Sequence, residues 1–188
     1  MKTISEVMAR DHDKIVGLIN DFGKCIELEK QTLKKAYQTF TWELEKHIFT
    51  EEKVIFTKYE PEDEREGYEM IPQLMQEHNK IYKKLREMKK SIKSRGTCDF
   101  KEFKKIMIKH KDFEEKSVYP KLDQELDETT KKMIVNRIGE VKLTPNSLKN
   151  IKVKCSECDK KLGILSGYHH SKLGKKWLFC SECYDKIE

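Results

Sequence analysis

Four of the six histidines in this 188-residue chain recur once in each of four segments with helical periodicity: His12, His47, His78 and His110. Each lies on the apolar side of its segment, where a single histidine is usually an ordinary core residue. One such histidine in each of four segments is harder to explain in that way. Because neutral imidazole is a common ligand of iron and zinc, the pattern indicates a metal site.

Two of these histidines are followed four residues later by a glutamate, Glu51 after His47 and Glu114 after His110. This spacing places both side chains on one helix face, one turn apart. The next glutamate in each run, for example Glu115, lies roughly 100° further around the helix. We therefore predict Glu51 and Glu114 as ligands and keep Glu115 as the alternative. Four imidazoles and two bridging carboxylates can hold two divalent irons and leave positions open for a further ligand.

Apolar residues at steps of three and four predict four amphipathic helices around these histidines. Pro61 and Gly96 mark two of the breaks between them, and the break near Glu29 has no such residue. Pro120 is expected to end the fourth helix. A shorter helix is expected from about Glu128 to Val141, with an apolar face formed by Met133, Ile134 and Ile138.

The spacing of the histidines also predicts their height in a bundle. In an antiparallel hairpin, residues equidistant from the turn lie at the same level. The midpoint between His47 and His78 falls beside Pro61, and that between His78 and His110 is Ser94, in the second break. An up-down-up-down bundle would thus bring the imidazoles into one layer of the core, where four of them without a metal would be costly.

Ferritin-like di-iron bundles are disfavoured, because they place a glutamate three residues before a histidine. The corresponding positions in this chain are Ala9, Leu44, Met75 and Met107. The order of the motifs instead resembles the hemerythrin-like (HHE cation-binding) domain. The runs that carry the resemblance are Asp11-His12-Asp13-Lys14-Ile15, His47-Ile-Phe-Thr-Glu51-Glu52-Lys-Val-Ile-Phe56, Glu77-His78-Asn79-Lys80-Ile81 and His110-Lys-Asp-Phe-Glu114-Glu115-Lys-Ser-Val-Tyr-Pro120.

The resemblance covers about residues 1–142 and implies a mainly α, antiparallel four-helix bundle with an oxo- or hydroxo-bridged pair of irons. Such a centre reacts with dioxygen or with a related small ligand such as nitric oxide. Oxygen-carrying members have a fifth histidine one turn before the third-helix ligand, where this chain has Leu74. They also place the last carboxylate at the position of Glu115 rather than Glu114. The resemblance therefore implies sensing of oxygen or iron, or repair of iron centres under nitrosative stress, rather than oxygen storage.

Near the C-terminus, two Cys-x-x-Cys pairs are separated by 21 residues: Cys155 with Cys158, and Cys180 with Cys183. Four thiolates at this spacing predict one structural Zn²⁺ in a closed site without catalytic activity. The segment resembles a zinc ribbon or treble clef, with strands expected near Ile151–Val153 and Lys176–Phe179. It is too short for a sufficient core, so metal binding should supply much of its folding free energy.

Two alternatives at this end of the chain stay open. A rubredoxin-type iron would fit the same four cysteines, but Asp159 and Tyr184 occupy positions where rubredoxins usually have glycine and proline. His169 and His170 could replace a cysteine ligand, although we expect them in a loop that faces solvent. Cys25 is given no role, nor is Cys98.

The composition suits helices with narrow apolar stripes, since 37% of residues are hydrophobic and 38% are charged. The net charge of +6 lies mostly on residues 143–188, where zinc-bound thiolates would offset part of it. Nucleic acid is therefore the less favoured partner, although it stays open. We find no signal-peptide core and no apolar run of membrane-spanning length, so a cytoplasmic protein without membrane association is expected.

Three units follow from these observations: a di-iron bundle over residues 1–142, a linker over 143–148 and a zinc module over 149–188. The first hypothesis for function is a protein that binds or senses dioxygen, a related diatomic ligand or iron, with the zinc module contacting a protein partner. The second is a di-iron enzyme or iron donor in stress defence or iron-centre repair. The third is a structural protein whose histidines hold another metal.

Overall fold

A computed structural model describes residues 2–59, 64–94, 99–140, 153–159, 161–162, 168–172, 175–179 and 183. The chain divides into two compact units, Met1–Val141 and Lys142–Glu188. The predictions that concern Pro61, Gly96, the linker over 143–148, Ile151 and Cys180 lie outside the described residues.

The first unit is mainly helical, which confirms the predicted class at the level of a helical bundle. Its helices are α1 (Ile4–Lys24), α2 (Lys30–Thr50), α3 (Glu64–Ser94), α4 (Phe100–Phe113), α5 (Tyr119–Glu125) and α6 (Glu128–Glu140). A π-turn over Glu51–Ile55 and a 3₁₀ turn over Phe56–Lys58 follow α2. A second π-turn, over Glu114–Val118, joins α4 to α5. Within the part of the chain that the structure describes, no helix is both long and apolar enough to cross a membrane.

Successive long helices run antiparallel and form a closed ring. The contacts show this direction, because a rising residue number on one helix meets a falling number on its neighbour. Between α1 and α2 the contact pairs are Lys14–Glu43 and Phe22–Tyr37, and between α2 and α3 they are Lys30–Lys93 and Tyr37–Leu85. Between α3 and α4 they are Lys84–Glu102 and Glu77–His110. Helix α1 meets α4 at Phe22–Phe100 and α5, which continues the path of α4, at Ile4–Asp123.

The four histidines lie between two apolar clusters. The buried residues of α1 recur at steps of three and four, as the helical period predicts: Ile4, Met8, His12, Ile15, Ile19 and Phe22. At one end of the bundle, aromatic rings pack together, among them Phe22, Phe40 and Phe103. At the other end, Ile4, Met8, Leu74, Tyr119 and Leu122 belong to one buried cluster. Each such side chain contributes about 1.5–3 kcal/mol when buried, so packing, rather than the polar layer, stabilises the bundle.

The start of α1 is held at two points. Thr3 and Glu6 form a reciprocal capping box around the first turn. The Asp123 carboxylate of α5 accepts hydrogen bonds from the backbone N–H groups of Ile4 (2.9 Å) and Ser5 (3.0 Å). This carboxylate therefore satisfies helix donors that would otherwise lack partners, and it ties α1 to α5.

Two predictions about helices are wrong. Pro120 does not end the helical path; it lies in the first turn of α5, where a missing N–H group costs no intrahelical hydrogen bond. Met133 is 42% exposed and does not belong to the buried face of α6, where Ile134 is buried and Ile138 is half-buried. Helix α6, over Glu128–Glu140, agrees within one residue with the range predicted from the sequence, Glu128 to Val141.

The second unit contains two antiparallel strand pairs among its described residues. Strand β1 (Val153–Lys154) pairs with β2 (Lys161–Leu162), and β3 (Tyr168–Lys172) pairs with β4 (Lys175–Phe179). The predicted strand over Lys176–Phe179 coincides with β4. The loop prediction for His169 and His170 is wrong, because both lie in β3 opposite Leu178 and Trp177. The β-forming run of β4 pairs with this segment, and strand pairing overrides its polar composition.

Candidate metal centre

Two groups of four buried side chains meet in the middle of the bundle. We call the pair His12 and His47 with the two glutamates position A, and the pair His78 and His110 with the same glutamates position B. Within each group, one donor atom from every residue lies within 4.8 Å of the others. The six side chains, His12, His47, Glu51, His78, His110 and Glu114, are at most 2% exposed.

Each shared glutamate directs one oxygen towards each position. Glu51 Oε1 lies 3.5 Å from His47 Nε2, and Glu51 Oε2 lies 3.3 Å from His78 Nε2. Glu114 Oε2 lies 3.0 Å from His12 Nε2, and Glu114 Oε1 lies 3.2 Å from His110 Nε2. This is the arrangement that two carboxylates need if they are to bridge two cations.

Both glutamates occupy the same local structure. Glu51 and Glu114 are each the first residue of a π-turn, four residues after a histidine. A π-turn inserts an extra residue into a helical turn and is frequent at functional sites. Both runs read Glu-Glu-Lys from this point. The sequence repeats the motif, but it did not predict the change in helical turn.

Outward from the centre, three histidines donate Nδ1–H to a carboxylate on a neighbouring helix. The distances are 2.9 Å from His12 to Glu115, 3.0 Å from His78 to Glu52, and 2.9 Å from His110 to Glu77. Such bonds fix the ring orientation and direct Nε2 inward. Sequence reasoning missed this role, although each carboxylate directly adjoins a predicted ligand in the sequence.

The fourth histidine completes a cyclic order. Asp11 on α1 faces His47 on α2, but the atoms Oδ2 and Nδ1 are 3.9 Å apart, too far for a hydrogen bond. Each of the four long helices α1 to α4, taken together with the π-turn that follows α2 and α4, thus presents a carboxylate to the histidine of the next helix around the bundle. We call Asp11, Glu52, Glu77 and Glu115 the outer carboxylates.

Tyr119, which sequence reasoning also missed, contacts both shared glutamates. Its hydroxyl donates a hydrogen bond to Glu51 Oε1 and lies 3.2 Å from Glu114 Oε2. These are the two carboxylate oxygens of position A. Burial, and then the charges of Glu114 and Glu51, raise the pKa of Tyr119 well above its ordinary value.

The buried histidines and glutamates of the centre shift one another's pKa values. Burial opposes a charge on His78, but Glu114, Glu51 and Glu52 raise its pKa well above the ordinary value. Burial likewise opposes a charge on Glu114, but the surrounding imidazoles, with His110 first, hold its pKa well below the ordinary range. Because histidine binds a metal as the neutral imidazole, binding of a cation at these residues would be coupled to the release of protons.

Unsatisfied polar atoms test whether a cation fits. Six buried side-chain atoms make no hydrogen bond with any residue that the structure describes: Nδ1 and Nε2 of His47, Nε2 of His78 and His110, Oε2 of Glu51 and Oε1 of Glu114. All except His47 Nδ1 are donor atoms of position A or B. Leaving such an atom unsatisfied costs about 1–3 kcal/mol. Imidazole and carboxylate are suitable ligands for a divalent metal, so the donor set fits one cation at each position.

A family model supplies independent support: the hemerythrin HHE cation binding domain matches residues 3–122. The chain belongs to the hemerythrin HHE family. No curated protein and no solved structure matches the chain. The matched range runs from the start of α1 to α5, so it contains all six inward-facing side chains. It ends before α6 and before the second unit.

In this hemerythrin bundle, Glu114 and Glu115, the two candidates for the last carboxylate ligand, occupy different places. Glu114 is fully buried among the histidines. Glu115 is 26% exposed and accepts hydrogen bonds from His12 Nδ1 and, at 2.8 Å, from Lys111 Nζ. Leu74 is fully buried in the apolar cluster beside the centre, at the place where oxygen carriers are expected to have a fifth histidine.

Outside the hemerythrin match, three of the predicted zinc ligands converge. Donor atoms of Cys155, Cys158 and Cys183 lie within 4.8 Å of one another, and Cys155 and Cys183 are buried. After the first pair, the Asp159 N–H group donates to the Cys155 carbonyl at 3.1 Å, and Asp159 has a positive φ of 56°. This tight turn brings the first two thiols to one side. Cys180, the fourth predicted ligand, lies outside the described residues.

Proposed function

We propose that the bundle is a non-haem di-iron protein that binds or senses dioxygen, a related small ligand such as nitric oxide, or iron itself. The observation that carries this proposal is the pair of buried positions that share two carboxylates, with five of their donor atoms unsatisfied. The hemerythrin family match supports cation binding at the same residues.

Iron is favoured over a purely structural metal by the ligand types. A structural zinc site is closed, with four ligands that often include thiolates. Each position here offers two imidazole nitrogens and two carboxylate oxygens, and no thiolate is present in either group. Such a set leaves iron room for a further ligand. When bound, iron would supply the affinity for dioxygen or nitric oxide and the redox chemistry.

The chain's own residues hold and shield the irons. His12 and His47 would hold one iron, His78 and His110 the other, and Glu51 and Glu114 both. Three of the outer carboxylates, Glu52, Glu77 and Glu115, keep Nε2 of their histidines directed inward. The apolar clusters above and below the layer exclude water, which strengthens every electrostatic contact within it.

Metal analysis after anaerobic reconstitution tests this proposal. We expect two irons and one zinc per chain, with near-ultraviolet absorption bands of a di-iron centre after exposure to air. A protein that contains only zinc and takes up no iron under anaerobic conditions would contradict it. That result would leave the third hypothesis, a structural metal protein.

A second candidate function, a di-iron enzyme or iron donor for stress defence or iron-centre repair, is supported by Leu74. Its apolar side chain is fully buried where an extra imidazole would complete a carrier site. Fewer protein ligands leave more room for reaction at iron. Rapid mixing of the ferrous protein with dioxygen separates the candidates: a stable oxygenated species supports binding, whereas prompt irreversible oxidation or turnover supports sensing or chemistry.

For the second unit, we propose one structural Zn²⁺ held by Cys155, Cys158, Cys180 and Cys183, with a protein partner as its target. The convergence of the three described cysteines supports the metal site. We expect one zinc per chain. Substitution of any one of these four cysteines should abolish zinc binding.

A further inference from the structure

The two metal positions differ in how well their donor atoms are already satisfied. At position B, the four donor atoms are His78 Nε2, His110 Nε2, Glu51 Oε2 and Glu114 Oε1. They approach one another as nitrogen–oxygen pairs at 3.3 Å (His78 with Glu51) and 3.2 Å (His110 with Glu114), but none of them makes a well-directed hydrogen bond to any described residue. At position A, only the donor atom His47 Nε2 lacks a hydrogen bond to a described residue. A cation entering position B therefore relieves four unsatisfied buried atoms, whereas one entering position A relieves one.

Hydrogen bonds within position A account for the difference. Tyr119 donates to Glu51 Oε1 and lies beside Glu114 Oε2, and His12 Nε2 bonds the same Glu114 oxygen at 3.0 Å. The tyrosine ring also lies near the His12 ring, with centroids 5.8 Å apart. A cation at position A must share both carboxylate oxygens with the hydroxyl or displace it.

The sequence shows why this hydroxyl lies on one side only. Both halves of the bundle contain His-x-x-x-Glu-Glu-Lys, and the residue nine places after the histidine is Phe56 in the first half and Tyr119 in the second. Both residues are buried in the same apolar cluster. The two halves are thus alike in their ligand motifs and differ at this position by one oxygen atom.

We infer that position B takes the first cation and position A the second, and that Tyr119 is the positioning residue that separates the two steps. The inference rests on the proposed metal-binding function and deepens it. A hydrogen bond to a charged group of this kind corresponds to about a tenfold change in affinity. The protein would therefore pass through a one-iron form as free iron rises, and position A would empty first as iron falls.

Stepwise titration with ⁵⁷Fe²⁺ under anaerobic conditions tests the inference on the full chain. Its cysteine cluster is first supplied with one equivalent of Zn²⁺. Competition with a coloured ferrous chelator gives the two affinities, and Mössbauer spectra distinguish iron held by nitrogen and oxygen from iron held by thiolate. Repulsion between the two irons weakens the second step in every variant, so the ratio of the steps is compared between variants.

Tyr119→Phe removes the hydroxyl and keeps the ring. We expect the second step to tighten about tenfold, with the first step unchanged. Tyr59→Phe is the matched control, because Tyr59 belongs to the same apolar cluster but its hydroxyl bonds Glu125 at 2.5 Å. In that variant both steps should stay within twofold of the original chain.

Two histidine variants identify which position fills first. His110→Ala should weaken the first step at least tenfold, whereas His47→Ala should leave it unchanged and remove the second. The opposite order, or an unchanged ratio in Tyr119→Phe that still binds two irons, would overturn the inference and leave the di-iron proposal standing. If the original chain takes up no iron on nitrogen and oxygen ligands, the di-iron proposal and the inference fail together.

Discussion

At the scale of single residues, the centre depends on where each polar atom is directed. The shared glutamates direct one oxygen to each position, and the outer carboxylates orient three of the four imidazoles. Because all six inner side chains are buried, an atom without a partner there is costly. Substitutions one position apart in the sequence should therefore have unequal effects.

Glu114→Ala and Glu115→Ala provide one such comparison. Glu114→Ala removes a carboxylate shared by both positions, so we expect the iron content to fall from two per chain to well below one. Glu115→Ala removes an outer carboxylate and should leave more than half of the iron. Metal analysis of the two purified variants measures this, and a greater loss in Glu115→Ala would show that Glu115 is the ligand.

Glu77→Ala tests the outer carboxylates. Glu77 accepts the Nδ1–H of His110 at 2.9 Å, and its loss should leave that ring free to turn. Removal of such a partner commonly weakens metal affinity about 10–100-fold, and we expect ferrous affinity to fall within that range. Glu87→Ala, an exposed glutamate on the same helix, is the control and should leave the affinity unchanged.

At the scale of elements, close packing of the helices fixes the layer of the histidines. α1 approaches α4 at Gly23, where an added Cβ would lie 2.6 Å from the Phe100 ring. Gly17, on the same helix, has no atom within 4 Å of the corresponding Cβ among the described residues. The two glycines thus separate the effect of helix propensity from the effect of packing.

Gly23→Ala should destabilise the bundle, and Gly17→Ala should stabilise it. Alanine in place of glycine in a helix interior is worth about 1 kcal/mol, and Gly17→Ala should raise the free energy of unfolding by up to this amount. At Gly23 the overlap with Phe100 should outweigh that gain, because overpacking costs about 1–3 kcal/mol. Denaturant unfolding followed by circular dichroism measures both. Equal stabilisation by the two changes would mean that the Phe100 ring moves aside freely.

At the scale of the whole molecule, the two compact units each hold their own candidate metal site. The hemerythrin match covers the first unit alone. The described candidate ligands of each site come from within one unit, so we expect each metal to stabilise its own unit.

Cys183→Ser tests this independence. The variant should lose zinc and the ordered strands of the second unit, because small metal modules take their folding free energy from the metal. The iron content and the absorption spectrum of the bundle should stay unchanged. Cys25→Ser, in the bundle and outside the candidate sites that the described residues form, is the control and should retain both metals. Loss of the di-iron spectrum in Cys183→Ser would show that the two sites are coupled.

The sequence alone was enough to predict the helical bundle, most of the buried positions along its helices and the six side chains that the structure brings together. The physical reason is local: helical period assigns a face to each residue, and spacing from a turn assigns a height. His12 and Glu51 could thus be placed on the inner faces of their helices without knowledge of their partners.

Only the tertiary structure decided which atoms meet across helices. The contact of Tyr119 with Glu51 spans 68 positions along the chain, and that of His12 with Glu115 spans 103. Such pairs depend on the rotation of each helix and on the two π-turns, which periodicity does not predict. The same limit explains Pro120, which is accommodated after a π-turn, and His169, which pairs with a neighbouring strand. Residue type and spacing therefore determined the inner donors, whereas packing determined how those donors are oriented and how the two positions differ.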